Sequence, residues 1–177
     1  MSTLVALAGL PGTGKSTIAR HFARDSGAVW LRIDEIDAAI WARDPGRDIG
    51  PDSYHIAAAL AASNLSVGHC VIVDSVNPWP LTRAIFAAAA DRVGARLLGV
   101  EILCSDAALH RRRVEGRAPD VPGLVLPDWT RVQARDYAPW TDAALHLDTA
   151  LCTPSDASAA IGAAMAAPPC GGLGVTG

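Results

Sequence analysis

Apolar runs of strand length alternate along the chain with longer helix-like stretches, the pattern of a parallel sheet covered by helices on both faces. Thr3 to Ala8 reads as the first strand, followed by a glycine-rich turn and a helix from about Lys15 to Arg24. Ala28 to Ile33 reads as the second strand, with a helix beginning at Asp34. The Pro45-Gly46 and Gly50-Pro51 pairs then mark a loop before an alanine-rich helix from about Asp52 to Ser66. His69 to Asp74 is a continuous apolar run that ends on an aspartate, as expected of a central strand buried on both faces. Pro78 and Pro80 interrupt the chain before a helix from about Leu81 to Val93, and Arg96 to Leu103 is a fourth strand. Ser105 or Asp106 can cap a helix running to about Gly116. The segment Arg117 to Pro127, with three prolines and a glycine, reads as a mobile loop. A further helix is predicted over about Asp128 to Tyr137, and Ala144 to Leu147 is a short fifth strand.

Composition narrows the picture. A chain of 177 residues, half of them apolar, has the size of one well-cored domain, taken here as residues 1–167. From Pro168 the sequence is rich in Pro and Gly with little to bury, and disorder is expected there. The formal net charge of -3 removes any global basic field of the kind that drives nonspecific nucleic-acid binding, though not a local basic groove. The N-terminus lacks the basic stretch of a signal peptide, and no segment approaches ~20 uninterrupted apolar residues, so a cytoplasmic location without membrane contact is expected. Cys70, Cys104, Cys152 and Cys170 are widely spaced without a CxxC pair, and Cys70 and Cys104 read as buried thiols. Lys15 is the sole lysine; every other basic side chain except histidine is an arginine.

That one lysine lies in Gly9-Leu-Pro-Gly-Thr-Gly-Lys15-Ser16, which satisfies GxxxxGK[ST] between an apolar strand and a helix. Such a loop turns backbone N–H groups inward around phosphates at a helix N-terminus, whose partial positive charge also favours an anion. Gly12, Thr13, Gly14, Lys15, Ser16 and Thr17 are therefore candidate ATP-binding residues. Lys15 would reach the β- and γ-phosphates, and Ser16 would ligate Mg²⁺.

Two aspartates stand at the carboxyl ends of predicted parallel strands, where open α/β sheets bind their ligands. Asp74 is either a Walker-B-like residue supporting Mg²⁺ or a turn aspartate. Asp34 is placed to accept the proton of an attacking hydroxyl, to cap the following helix, or both. The run His110 to Arg117 holds four arginines in seven positions. Four apart on a helix, Arg113 and Arg117 share a face suited to phosphate oxygens, while Arg111 and Arg112 read as a solvated face.

Together these segments resemble the small P-loop kinases that include chloramphenicol phosphotransferase, zeta toxins, the kinase domain of phage polynucleotide kinase, and many proteins labelled AAA-family ATPases. The resemblance runs from Leu4 to about Thr149 and rests on the P-loop, Ile33-Asp34, Val71 to Pro78, Leu109 to Arg117 and Leu147-Asp-Thr149. It implies a P-loop NTPase α/β sandwich of three layers, nucleoside-kinase-like, with a five-stranded parallel sheet and a lid around residues 113–127. It further implies that Asp34 is the general base, that Arg113 packs on adenine and that Arg117 meets the phosphates. A hexameric motor is set aside, because the chain has no room for a separate helical lid domain.

The excursion from Trp41 to Ser66 is expected to form the acceptor side of the cleft, with Trp41 a candidate for substrate contact and Trp79 and Arg83 candidates on the same rim. Three readings stay open: a kinase for a small hydroxylated metabolite or antibiotic, which short length and negative charge favour; a 5'-hydroxyl nucleic-acid kinase; and a nucleotide-dependent protein-binding module with slow ATPase activity.

Overall fold

Six consecutive buried residues, Thr3–Ala8, form β1, and a strand with no exposed position must lie inside a sheet covered on both faces. In the computed structural model, which describes residues 1–167, the order is β1, α1 (Lys15–Ser26), β2 (Val29–Arg32), α2 (Ile33–Arg43), α3 (Asp52–Ser66) and β3 (Val71–Asp74). Next come α4 (Pro80–Arg92), β4 (Arg96–Leu103), α5 (Ala107–Gly116), α6 (Trp129–Gln133), β5 (Leu145–Asp148) and α7 (Pro154–Ala166). The Pro/Gly-rich tail expected to be disordered, with Cys170, lies outside the described residues.

The five strands are parallel in the order β2-β3-β1-β4-β5. Because the chain passes from β1 to β2 on one side and later returns to β4 on the other, the order reverses at β1, and the crevice at that strand's carboxyl end is the place for a ligand. Alternation along β1 divides the core. Leu4, Ala6 and Ala8 pack with Ala57, Ala61 and Leu65 of α3 and Phe86 and Ala90 of α4. Val5 and Leu7 pack on the opposite face with Ile18 and Phe22 of α1 and Ala157 and Ile161 of α7. No helix among the described residues is long and apolar enough to cross a membrane.

Three sequence expectations change. The helix expected over Asp128 to Tyr137 is only Trp129–Gln133, because the following residues are taken by tertiary contacts. Tyr137 donates its hydroxyl to Glu101 Oε1 at 2.7 Å, and Arg83 holds the carbonyls of Ala138 and Pro139. Helix α7 was not anticipated, although Thr153 and Asp156 cap it reciprocally and Pro154 begins it, which is a legible start signal. Cys70 and Cys104 are half-buried rather than buried.

Buried Glu101 on β4 organises the segment after α6: besides Tyr137 it accepts the Trp140 backbone N–H at 2.8 Å. That contact brings the Trp140 ring against Gly99, where a β-carbon would overlap the indole. Gly99→Ala is therefore expected to cost about 1–3 kcal/mol through overpacking. Thermal unfolding followed by circular dichroism should show a Tm lower by roughly 2–10 °C; an unchanged Tm would show that the indole can move aside.

Candidate active site

The loop between β1 and α1 opens into a cleft of about 1340 Å³. Gly12, Gly14, Lys15, Ser16 and Thr17 line it, and so do Asp34 and Asp37 of α2, Asp74 at the end of β3, Arg113 of α5, Arg117 just after α5 and Arg135 just after α6. Residues far apart in sequence thus meet at the sheet's topological switch.

The loop's conformation is held both from within and from outside. The Lys15 ammonium and the Thr13 hydroxyl both donate to the Leu10 carbonyl, at 2.8 and 2.9 Å. His110 Nε2 lies 2.8 Å from the Pro11 carbonyl, which sets that nitrogen as the protonated one, and the ring meets Trp129 edge-on. Thr149 donates to the Thr13 carbonyl at 2.8 Å and is itself gripped by Arg113, whose Nη1 and Nη2 reach Thr149 Oγ1 and O at 2.7 and 3.1 Å. Thr13 is 3% exposed and its hydroxyl is turned into the protein, so only its backbone is available to a phosphate. Gly12 has φ +85, and a β-carbon there would stand 2.5 Å from Val114 Cγ2. No other residue type suits both constraints.

Burial pulls the Lys15 pKa down to about 8; Asp74 and Asp34 push it up, and Arg117 and Arg135 push it further down. Burial raises the Asp74 carboxyl above the usual range, with Lys15, the Ser16 side chain and Arg32 drawing it back. A serine hydroxyl beside a buried carboxylate is an oxygen donor set suited to a hard divalent cation, so Ser16 and Asp74 fit Mg²⁺. Arg117 is half-buried, its pKa lowered by burial, and its Nε has no hydrogen-bond partner in the protein. It stands one residue beyond α5 with extended backbone, so it enters the cleft from the loop and not from the helical face shared with Arg113.

Arg32, 7% exposed, closes the β2 side. It pairs in register with Asp74, with Nε 3.6 Å from Asp74 Oδ2, and its Nη1 lies 3.0 Å from Asp120 Oδ2 in the loop after α5. Burial opposes its charge, but Asp120, Asp74 and Glu35 outweigh that and raise its pKa. In turn the hydrogen bond from Arg32 holds the Asp120 carboxyl below its ordinary range.

Of the expected acceptor residues, Trp41 lines the cleft, its indole N–H fixed on the Arg47 carbonyl at 3.0 Å. The structure does not bring Trp79 or Arg83 there. Trp79 donates to Asp136 at 3.0 Å on the outer surface. Arg83 is 8% exposed and stacks over Tyr137 and Trp140 while donating to the carbonyls of Asn77, Ala138 and Pro139, so its guanidinium is committed to structure. Arg112, expected on a solvated face, lines the cleft, whereas Arg111 pairs with Glu115 at 2.8 Å. Asp37, Arg135, Arg32 and Asp120 were not anticipated. Only Asp37 had a signal, since it lies one helical turn after Asp34. A second cavity of about 610 Å³, lined by Trp30, Ile36, Ile40, Ile56 and Leu60 and sharing Arg32 and Arg47 with the cleft, holds no P-loop residue.

Two outcomes follow. Lysine-selective labelling should give one side-chain NMR signal titrating near pH 8, and inorganic triphosphate should move that midpoint upward, since an anion favours the charged form. A midpoint near 10.5 would show that Lys15 is solvated. Gly12→Ala should leave the far-UV circular dichroism unchanged but weaken nucleotide binding about 10-fold or more, measured by calorimetry.

Among solved structures, the fold is similar to APS kinase from Mycobacterium tuberculosis in complex with AMPPNP and APS, at 18% identity and TM-score 0.72, covering 93% of this chain and 97% of that one. It is similar also to a sugar kinase from Janibacter sp. (17%, TM-score 0.65, 93% and 95%) and to a gluconokinase from Sinorhizobium meliloti (16%, TM-score 0.62, 93% and 91%). Comparison with curated proteins gives no match. The sequence profile of the AAA domain family matches residues 4–135, from β1 through Arg135 just after α6, and the chain belongs to that family.

Proposed function

We propose that the chain is a Mg²⁺-dependent kinase that transfers the γ-phosphoryl group of ATP to a hydroxyl of a small molecule. The observation that carries this reading is that one cleft gathers a P-loop lysine, a buried carboxylate beside Ser16, a second carboxylate on α2, and two arginines flanking the lid. A module that only binds nucleotide has no use for Asp34 there. The structural neighbours named as APS kinase and gluconokinase support the same class, with small molecules as acceptors.

Phosphoryl transfer asks for positioning and for neutralisation of charge on the transferred group more than for covalent chemistry. Lys15, released from the Leu10 carbonyl, supplies a mobile cation; below its pKa of about 8 it is charged. Arg117 brings a guanidinium with an unpartnered Nε, and Arg135 adds a second cation near Lys15. Arg113, fixed on Thr149, offers the face of its guanidinium to the base of the nucleotide. Ser16 and Asp74 would hold Mg²⁺, which when bound offsets phosphate charge. Asp34, exposed in the first turn of α2, is free to take the acceptor's hydroxyl proton.

Asp34→Asn is expected to lower acceptor-dependent ADP formation by about 10²-fold or more with ATP affinity nearly unchanged, measured by a coupled assay and calorimetry. Equal loss of ATP binding would make Asp34 structural. Asp74→Asn should raise the Mg²⁺ concentration needed for half-maximal turnover by about 10-fold; an unchanged requirement would remove Asp74 from the metal site.

A further inference from the structure

On α2, Asp34, Asp37 and Trp41 stand at i, i+3 and i+7, so at 3.6 residues per turn they fall within one narrow stripe, and all three line the cleft. Arg135 lines the same cleft and acts electrostatically on both Lys15 and Asp37, which places it between the phosphate-binding and acceptor ends. The Ser53 side chain donates to the Asp37 carboxyl and Arg135 acts on it electrostatically, but one oxygen is left over. Its Oδ1 is shut away from solvent with no hydrogen-bond donor on it. Just beyond the cleft-lining Ser75 and Val76, fully buried Asn77 also leaves both polar side-chain atoms without partners. A carboxylate at the edge of a cleft with one oxygen unsatisfied gains from a donor in the cleft when its side chain turns to present that oxygen.

The chemistry of the set narrows what arrives. An ammonium group only donates hydrogen bonds, and it would enter beside Lys15, Arg117 and Arg135. A phosphate or carboxylate only accepts, and it would meet Asp34 and Asp37. A hydroxyl does both, and so suits a carboxylate facing a guanidinium. Trp41, its indole nitrogen tied to Arg47, is a fixed apolar platform for the C–H face of a ring or chain of carbons. Side chains three apart on a helix start about 5–6 Å from one another. Two carboxylates so spaced can each take one of two hydroxyls borne on adjacent or next-but-one carbons.

We propose that the acceptor is a neutral polyhydroxylated compound, with Asp34 on the reacting hydroxyl, Asp37 and Arg135 on a neighbouring hydroxyl, and Trp41 against the carbon face. This rests on the kinase reading and makes Asp37 a specificity-determining residue that acts on a hydroxyl which does not react. Burial raises the pKa of Asp37, Asp34 adds to it, and the Ser53 hydrogen bond and Arg135 draw it back only in part.

The test is ATP- and Mg²⁺-dependent ADP release by the full chain with three acceptor panels: simple monohydric alcohols; amino alcohols including choline; and aldoses, alditols and cyclitols, with product position read by NMR. Polyols alone are expected to stimulate release, and removing the hydroxyl next to the phosphorylated one should lower kcat/KM by about 10²-fold. Asp37→Asn should raise the polyol KM by about 10-fold with little change in kcat or ATP affinity, and should lose the preference for the full polyol over its deoxy analogue. The deoxy comparison needs only the unmodified protein, so it stands even if the variant fails to fold. Equal or better use of amino alcohols or monohydric alcohols, or an Asp37→Asn protein as sensitive to the missing hydroxyl as the original, overturns this inference and leaves the kinase reading intact. No stimulation by any alcohol overturns both.

Discussion

A loop that turns its N–H groups toward an anion must send its carbonyls the other way, and each carbonyl shut off from water needs a donor. Here the donors are four residues from three places: Thr13 and Lys15 within the loop itself, His110 on α5, and Thr149 after β5. The phosphate cradle is thus the inner surface of a hydrogen-bonded ring whose outer members are spread over nearly the whole chain. This explains why α5 runs where it does, with Val114 close against Gly12, and why the segment after β5 is tied back to Arg113.

Arginine serves two separate ends in this protein. Some guanidinium groups face the cleft with donors to spare, as Arg117 does. Others are consumed by architecture: Arg83 anchors the segment after α6 through backbone carbonyls and aromatic faces, and Arg96 reaches the carbonyls at the end of α7. Five donors in a planar fork make one residue type able to do both. For the same reason, the residue type alone does not reveal which use applies.

That ambiguity marks the limit of what was legible beforehand. The order of strands and most helices, and the P-loop with Asp34 and Asp74 at strand ends, follow from local pattern, because buried parallel strands and glycine turns write themselves into a few adjacent residues. Arg83 was misplaced on the acceptor rim because its partners, Ala138 and Pro139, offer only backbone carbonyls, which leave no trace in side-chain identity. The early end of α6 has the same origin, since Glu101, a single polar residue within an apolar strand, draws Tyr137 and Trp140 out of helical register. The contact of Asp120 with Arg32 spans 88 residues and has no local signature. Asp37 and the capping pair Thr153 and Asp156 were readable by spacing and went unread.

The identity of the loop cation has one more effect. Apart from the chain terminus, Lys15 is the only amine the protein possesses, and with a pKa of about 8 close to half of it is uncharged in mildly alkaline solution. Elsewhere basicity comes from guanidinium groups, which keep their protons and react poorly with electrophiles. An acylating or aldehyde-bearing molecule small enough to enter the cleft therefore meets a single side-chain amine there, with the Cys152 thiol as its competitor, and amide or imine formation at a side chain of this protein is in effect a reaction of its nucleotide site.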